Sequence, residues 1–146
     1  MTLGEVERAM SYQEKRAWIY AVVAVVVPAA YAIVLLARAP AGGVAAGEYG
    51  RALMIAVSAS IVLNGVAGAF AAGSGRKEPV DERDRAIGQR GEYVGFYVMS
   101  GAAIVPLALA VREAPYFWIA NSLYLSFTLA AVVSAVVKIV AYRRGM

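Results

Sequence analysis

The chain has 146 residues, 61% of them hydrophobic, and a net charge of +4 from 14 basic and 10 acidic side chains. Soluble domains contain about 45–50% apolar residues, so this composition indicates a membrane protein, with a single domain over residues 1–146. The absence of cysteine and histidine excludes disulfides, thiol nucleophiles and imidazole chemistry, including the commonest metal ligand.

The first predicted element is a transmembrane helix over residues 17–37, a run without a charge. About 20 apolar residues cross the hydrocarbon core of a bilayer, so this run is long enough. Ser11 and Glu14 have the spacing of a capping box, which predicts that the helix begins at Ser11. The alternative is a cleaved signal peptide, but the apolar run exceeds the roughly 7–15 residues usual for one.

A second uncharged run, residues 52–75, predicts the second span. Small or polar residues recur in it at every fourth position and would line one stripe of the helix, which allows close approach of another helix in lipid. The members of this seam are Ala56, Ser60, Asn64, Gly68 and Ala72. Asn64 falls near the bilayer centre, so we expect it to have a hydrogen-bond partner. The seam serves either for packing or as the polar lining of a substrate path.

A charged segment separates the two apolar halves, and we call residues 77–92 the strap. With the adjacent Arg76 it carries five basic and five acidic side chains. Asp81 has the position of an N-cap, with acids in the following turn. This pattern predicts a helix that begins at Asp81 and continues through the third span, residues 93–111, with a kink at Pro106.

The balanced charges of the strap decide which partners fit it. A nucleic-acid site needs uncompensated basic residues, so no nucleic-acid partner is expected. A cytoplasmic protein that docks on the strap is the functional interpretation, and a solvated face without a partner is the alternative. The docking candidates are Asp81, Glu82, Arg83, Asp84 and Arg85. The acids of the strap lack the spacing of a calcium-binding loop, and the sequence contains no catalytic or phosphate-binding motif. The sequence therefore predicts no metal ligand, no cofactor and no catalytic residue.

Glycines recur on one face of the strap and the third span, at Gly88, Gly91 and Gly95. Glycine costs about 1 kcal/mol relative to alanine inside a helix, so we expect another helix to lie close to this face. The fourth predicted span, residues 114–137, is the most polar of the four. Its polar residues are Asn121, Ser122, Tyr124, Ser126, Thr128 and Ser134.

Lysine and arginine are distributed unevenly around the four spans. Eleven lie in the N-terminal segment, the strap and the C-terminal segment, and three lie in the other two connections. The positive-inside rule then puts the strap and both termini in the cytoplasm. The predicted fold class is all-α: an integral membrane four-helix bundle of two α-hairpins in the cell inner (cytoplasmic) membrane, with cytoplasmic N and C termini.

Five segments carry a family resemblance. The strap contains Asp-Glu-Arg-Asp-Arg at residues 81–85, and Gly-Glu-Tyr-Val-Gly at residues 91–95 opens the third span. The others are residues 11–18, 117–121 and 138–144. Together they resemble a family of small uncharacterised prokaryotic membrane proteins, a domain of unknown function with an Asp-Glu-Arg box before its third helix. The resemblance implies a fold and a membrane location but no activity, and it strengthens Met10 as a candidate start beside Met1.

Two functions fit the sequence, and homo-oligomerisation is compatible with both. The first is a non-enzymatic membrane protein with a scaffold or signalling role, whose strap docks a partner. The second is a small transporter or lipid-handling subunit with a polar path between spans two and four. No predicted span contains a charged residue, which argues against a proton-coupled exporter. The helix-packing or polar-path candidates are Ser60, Asn64, Gly68, Gly91, Gly95, Asn121, Tyr124 and Thr128.

Overall fold

All the regular secondary structure in the described part of the chain is helical. The computed structural model describes residues 12–73 and 80–145, with the side chains of residues 67 and 70–73 left out. Within these ranges the chain forms no β-strand, which confirms the all-α class. The helices are α1 Tyr12–Ala37, α2 Gly50–Gly73, α3 Glu82–Ala102, α4 Ile104–Val111 and α5 Tyr116–Arg144, and a 3-10 turn, Val44–Ala46, lies between α1 and α2.

Three helices are long and apolar enough to cross a membrane. They are α1, with 26 residues, the combined α3 and α4, with 30, and α5, with 29. Helix α2, Gly50–Gly73, has 24 residues and carries no charged residue after Arg51, but it is not one of these three helices. The predicted second span therefore stays a prediction.

Large apolar side chains cover the outside of these helices. The most exposed include Ile33, Leu36, Ile61, Leu107 and Val111, which are 65% to 78% exposed. An apolar surface of this extent is costly in water, whereas lipid tails solvate it. The surface thus agrees with the length and composition of the helices.

Helix α3 begins where the sequence predicts. Asp81 is its N-cap, and the Asp81 carboxylate accepts a hydrogen bond from the Glu82 backbone N–H at 2.7 Å. The predicted helix continues to Val111 as a unit of 30 residues, and it is interrupted at one residue, Ala103. Pro106 explains the break, since proline has no N–H and its ring clashes with the carbonyl four residues earlier, that of Ala102.

Helix α5 is the central element of the described chain. It contacts α1, α3 and α4, whereas α2 packs mainly on α1. The α3–α5 contact is the most extensive one. Small side chains on α5 let the backbones of the neighbouring helices come close to it, which allows its central place. The buried small residues of α5 are Ser126, Ser134, Ala135 and Ala141.

The ends of the helices differ from the predicted spans. Helix α5 starts at Tyr116 after Pro115 and continues past residue 137 to Arg144. Lys, Arg and Ala favour helix, and Gly145 ends it in the left-handed conformation at φ 71°. Ser11, the first residue of the predicted capping box, and residues 77–79 of the strap lie outside the described residues.

Candidate functional site

The predicted glycine face brings α3 against α5 at two of its three positions. A Cβ at Gly91 would lie 2.5 Å from both Cγ and Cε of Lys138. A Cβ at Gly95 would lie 3.1 Å from Ser134 Cβ and 3.4 Å from the Ala130 carbonyl oxygen. The predicted close approach is therefore confirmed at Gly91 and Gly95. At Gly88 it is wrong, since a Cβ there would meet nothing within 4 Å.

Polar contacts join the strap and the start of α1 to the last turns of α5. The Tyr142 hydroxyl donates to Asp84 Oδ1 at 3.0 Å. Lys138 Nζ lies 3.7 Å from Glu92 Oε1, and Arg143 Nε lies 3.4 Å from Glu14 Oε1. These contacts come from residues more than 40 positions apart, so they fix the relative position of the three helices.

Tyr142 is the most strongly perturbed group of this cluster. Burial raises the pKa of its hydroxyl, and the hydrogen bond to the Asp84 carboxylate raises it further. A neutral hydroxyl is the form that can donate to a carboxylate. Tyr142 therefore stays a donor at neutral pH, and its contribution to stability declines only as the pH rises above the ordinary tyrosine pKa of about 10.

The five docking candidates divide into two groups. Asp84 is half-buried and accepts from Tyr142, as described above. The other four, Asp81, Glu82, Arg83 and Arg85, are exposed. Ile87 and Gly91, which lie one and two turns further along the same helix, are buried. The first turn of α3 thus carries exposed charged side chains, and the same helix packs against α5 further along.

A cavity of about 370 Å³ lies between α1, α3 and α5 beside this cluster. Its charged lining consists of Arg16, Asp84, Glu92 and Lys138, so its formal charges cancel. Gln13, Gly88 and Tyr142 are among the other residues that line it. The residues from α1 and α5 were not among the predicted site residues, because their proximity depends on how separate helices pack.

A second polar group joins α1 to α5 deeper in the fold. The buried Tyr31 hydroxyl donates to Asn121 Oδ1 at 2.7 Å, and Asn121 Nδ2 donates to the Phe117 carbonyl at 2.8 Å. The Tyr124 ring meets the Tyr31 ring edge-on, with centroids 5.5 Å apart. Asn121 and Tyr124 were predicted from the polar character of the fourth span. Tyr31 was missed, because a lone tyrosine in an apolar run carries no periodic signal.

Two of the remaining polar-path candidates, Asn64 and Thr128, form hydrogen bonds within their own helices. Asn64 Nδ2 donates to the Ser60 carbonyl at 2.8 Å, and Thr128 Oγ1 donates to the Tyr124 carbonyl at 2.9 Å. Both bonds run to the residue four positions earlier in the same helix, which satisfies a polar group without a second helix. The Gly68 carbonyl accepts from the Tyr12 hydroxyl at 3.2 Å. Asn64 does have a partner, but that partner is in its own helix.

The residues proposed to line a path between spans two and four do not line the cavity of largest volume among those described here. This cavity, of about 850 Å³, lies between α1, the α1–α2 loop and α2. None of Asn64, Asn121, Tyr124 and Thr128 lines it. Its lining is apolar along both helices, and Arg38, Glu48 and Arg51 lie at the loop end.

No metal centre is formed by the described residues, in which no three Asp or Glu side chains come together as ligands. The comparisons with known proteins add no relative, because no family model, no curated protein and no solved structure matches this chain. The resemblance to a small prokaryotic membrane protein family stays a prediction.

Proposed function

We propose that this chain is a non-enzymatic integral protein of the cell inner membrane, with a scaffold or signalling role, whose strap docks a cytoplasmic protein. The observation that carries this proposal is the exposure of charged side chains in the first turn of α3, a helix that packs against α5. Glu82, Arg83 and Arg85 are exposed there, while Ile87 is only 5% exposed. A charged face on a helix that is already ordered loses little conformational entropy on binding, which favours recognition.

The contacts between helix ends support the proposed topology. The start of α1 meets the end of α5 through Glu14 and Arg143, and the end of α5 meets the start of α3 through Tyr142 and Asp84. These are the segments to which the positive-inside rule assigns the cytoplasm. At the other end, the Tyr49 ring meets the Phe117 ring with centroids 5.0 Å apart. This grouping of ends supports two α-hairpins with both termini on the strap side.

The alternative function, a transporter or lipid-handling subunit with a polar path between spans two and four, has less support. Asn64 and Thr128 each donate a hydrogen bond to a carbonyl group of their own helix, not to a group of the other helix. The side chain of Asn121 accepts a hydrogen bond from Tyr31 of α1 rather than from a residue of α2.

Site-specific photocrosslinking in intact cells tests the docking proposal. A photoreactive residue in place of Arg85 is expected to give one discrete adduct above the 15.4 kDa monomer. Reversal of the neighbouring charge, Glu82→Lys, is expected to remove most of that adduct, because it changes the face that the partner contacts. The control carries the same photoreactive residue in place of Arg112, an exposed residue at the opposite end.

Three outcomes are distinguishable in that experiment. A protein adduct at residue 85 that depends on Glu82 and is absent at residue 112 supports docking. An adduct at twice the monomer mass identifies a second copy of the chain as the partner. Equal labelling at both positions, or no adduct at residue 85, contradicts the proposal.

A further inference from the structure

We propose that the cavity between α1 and α2 binds a phospholipid with a net negative headgroup, whose phosphate lies at Arg38 and Arg51 and whose acyl chain lies along the apolar wall. The site is separate from the docking face of the strap. The lipid site depends on the proposed membrane location of the chain but not on the identity of any protein partner.

The cavity has the size and shape of a ligand site. Its volume of about 850 Å³ falls within the range of roughly 300–1,000 Å³ that is typical of ligand sites. Three lining residues of α1, Val26, Ala30 and Val34, recur every four positions and so lie on one side of that helix. The facing wall of α2 includes Ala52 and Ala59, whose small side chains leave space between the two helices.

The wall of the cavity along the two helices is apolar and exposed. Val26 is 56% exposed, Val34 is 38% exposed, and Ile55 on the facing helix is 61% exposed. All three line the cavity, so the described chain leaves this apolar surface uncovered. In a bilayer, an acyl chain is the occupant that covers such a surface without loss of hydrogen bonds.

The loop end of the cavity is positively charged. Arg38, Glu48 and Arg51 line the cavity there, with a formal net charge of +1. The salt bridges among the described residues are Lys138–Glu92 and Arg143–Glu14. Arg38 and Arg51 take part in neither. The guanidinium group matches a phosphate in shape and charge through paired hydrogen bonds. A headgroup with a single net negative charge would neutralise the site, whereas a zwitterionic headgroup would leave it positive.

The position of the arginines along the helices agrees with this ligand. Arg38 directly follows α1, and Arg51 is the second residue of α2, so both lie where the apolar walls end. A phospholipid has the same order, with the phosphate next to the acyl chain. Long arginine side chains reach the headgroup level from such positions.

Native mass spectrometry of the full chain tests the site with defined lipids. The purified protein is mixed with phosphatidylglycerol or with phosphatidylcholine that has the same acyl chains. We expect one phosphatidylglycerol to be retained at collision energies that remove phosphatidylcholine. The double variant Arg38→Gln/Arg51→Gln is expected to bind phosphatidylglycerol about tenfold more weakly or worse, since charged hydrogen bonds to the phosphate are lost.

Two further variants separate a site from general affinity for lipid. Arg112→Gln removes an exposed arginine that does not line the cavity, so its lipid binding is expected to match the unsubstituted chain. Ala59→Phe keeps all charges but fills the apolar part, so it is expected to weaken phosphatidylglycerol binding as the arginine variant does.

Several results would overturn the lipid site. One is equal retention of the two lipids, and another is unchanged binding in the double arginine variant. An equal loss in Arg112→Gln would show attraction to the surface rather than a site. Because none of these variants changes the strap, failure here leaves the photocrosslinking result on docking unaffected.

Discussion

Replacing Gly95 by leucine is expected to push α3 away from α5 and to lower the free energy of unfolding by about 1–3 kcal/mol, the usual cost of overpacking a filled interior. Even a Cβ at this position would lie 3.1 Å from Ser134 Cβ and 3.4 Å from the Ala130 carbonyl oxygen. A backbone oxygen cannot move aside without its helix. The four-carbon side chain of leucine must therefore displace α5 or be displaced by it.

Gly101 offers a matched control for this substitution. It lies in the same helix, and a Cβ there would meet nothing within 4 Å. Gly101→Leu is expected to be neutral or slightly stabilising, because leucine favours helix over glycine by up to about 1 kcal/mol. Unfolding in mixed micelles measures both variants. Equal stability of the Gly95 and Gly101 variants would contradict the close α3–α5 contact.

Replacing Tyr31 by alanine is expected to lower the free energy of unfolding by about 3 kcal/mol, the low end of the range for truncation of a buried aromatic side chain. Tyr31 is 7% exposed, and its ring meets Tyr124 edge-on. Its hydroxyl also donates to Asn121. The low end applies because lipid solvates apolar groups as well as a protein interior does, so the loss is mainly of packing and the hydrogen bond.

The hydrogen bond can be separated from the ring packing by a double-mutant cycle. Tyr31→Phe removes only the hydroxyl and is expected to cost about 0.6 kcal/mol, with an upper bound near 1.7 kcal/mol for such bonds in membranes. Combined with Asn121→Leu, the two losses are expected to be less than additive. Tyr116→Ala is the control, since Tyr116 is 84% exposed. Strictly additive losses would contradict a direct Tyr31–Asn121 bond.

Features that depend on residues close together in the sequence were predictable from it. The uncharged runs indicated the long apolar helices, and Asp81 with its following acids indicated the start of α3. Gly91 and Gly95 indicated close packing because glycine is unfavourable in a helix without such a reason. Pro106 indicated a distortion, and the structure has an interruption at Ala103.

Features that depend on which helices pack together were not predictable. Tyr31 and Asn121 are 90 positions apart, and Asp84 and Tyr142 are 58 apart. Periodicity within one helix gives the side of that helix but not the neighbour that it meets. Asn64 shows the same limit, because the cost of a buried amide requires a partner but does not distinguish the carbonyl of Ser60 from a side chain on another helix.

The central claim is that the chain spans the inner membrane with the strap in the cytoplasm, and cysteine labelling tests it most directly. The chain has no native cysteine, so single substitutions carry no background. Ala45→Cys lies in the α1–α2 loop and Gln89→Cys lies in the strap, and both positions are exposed. We predict that an impermeant thiol reagent labels residue 45 in intact cells and labels residue 89 only after the cells are permeabilised. Rapid labelling of residue 89 in intact cells would contradict the topology and the docking proposal that depends on it.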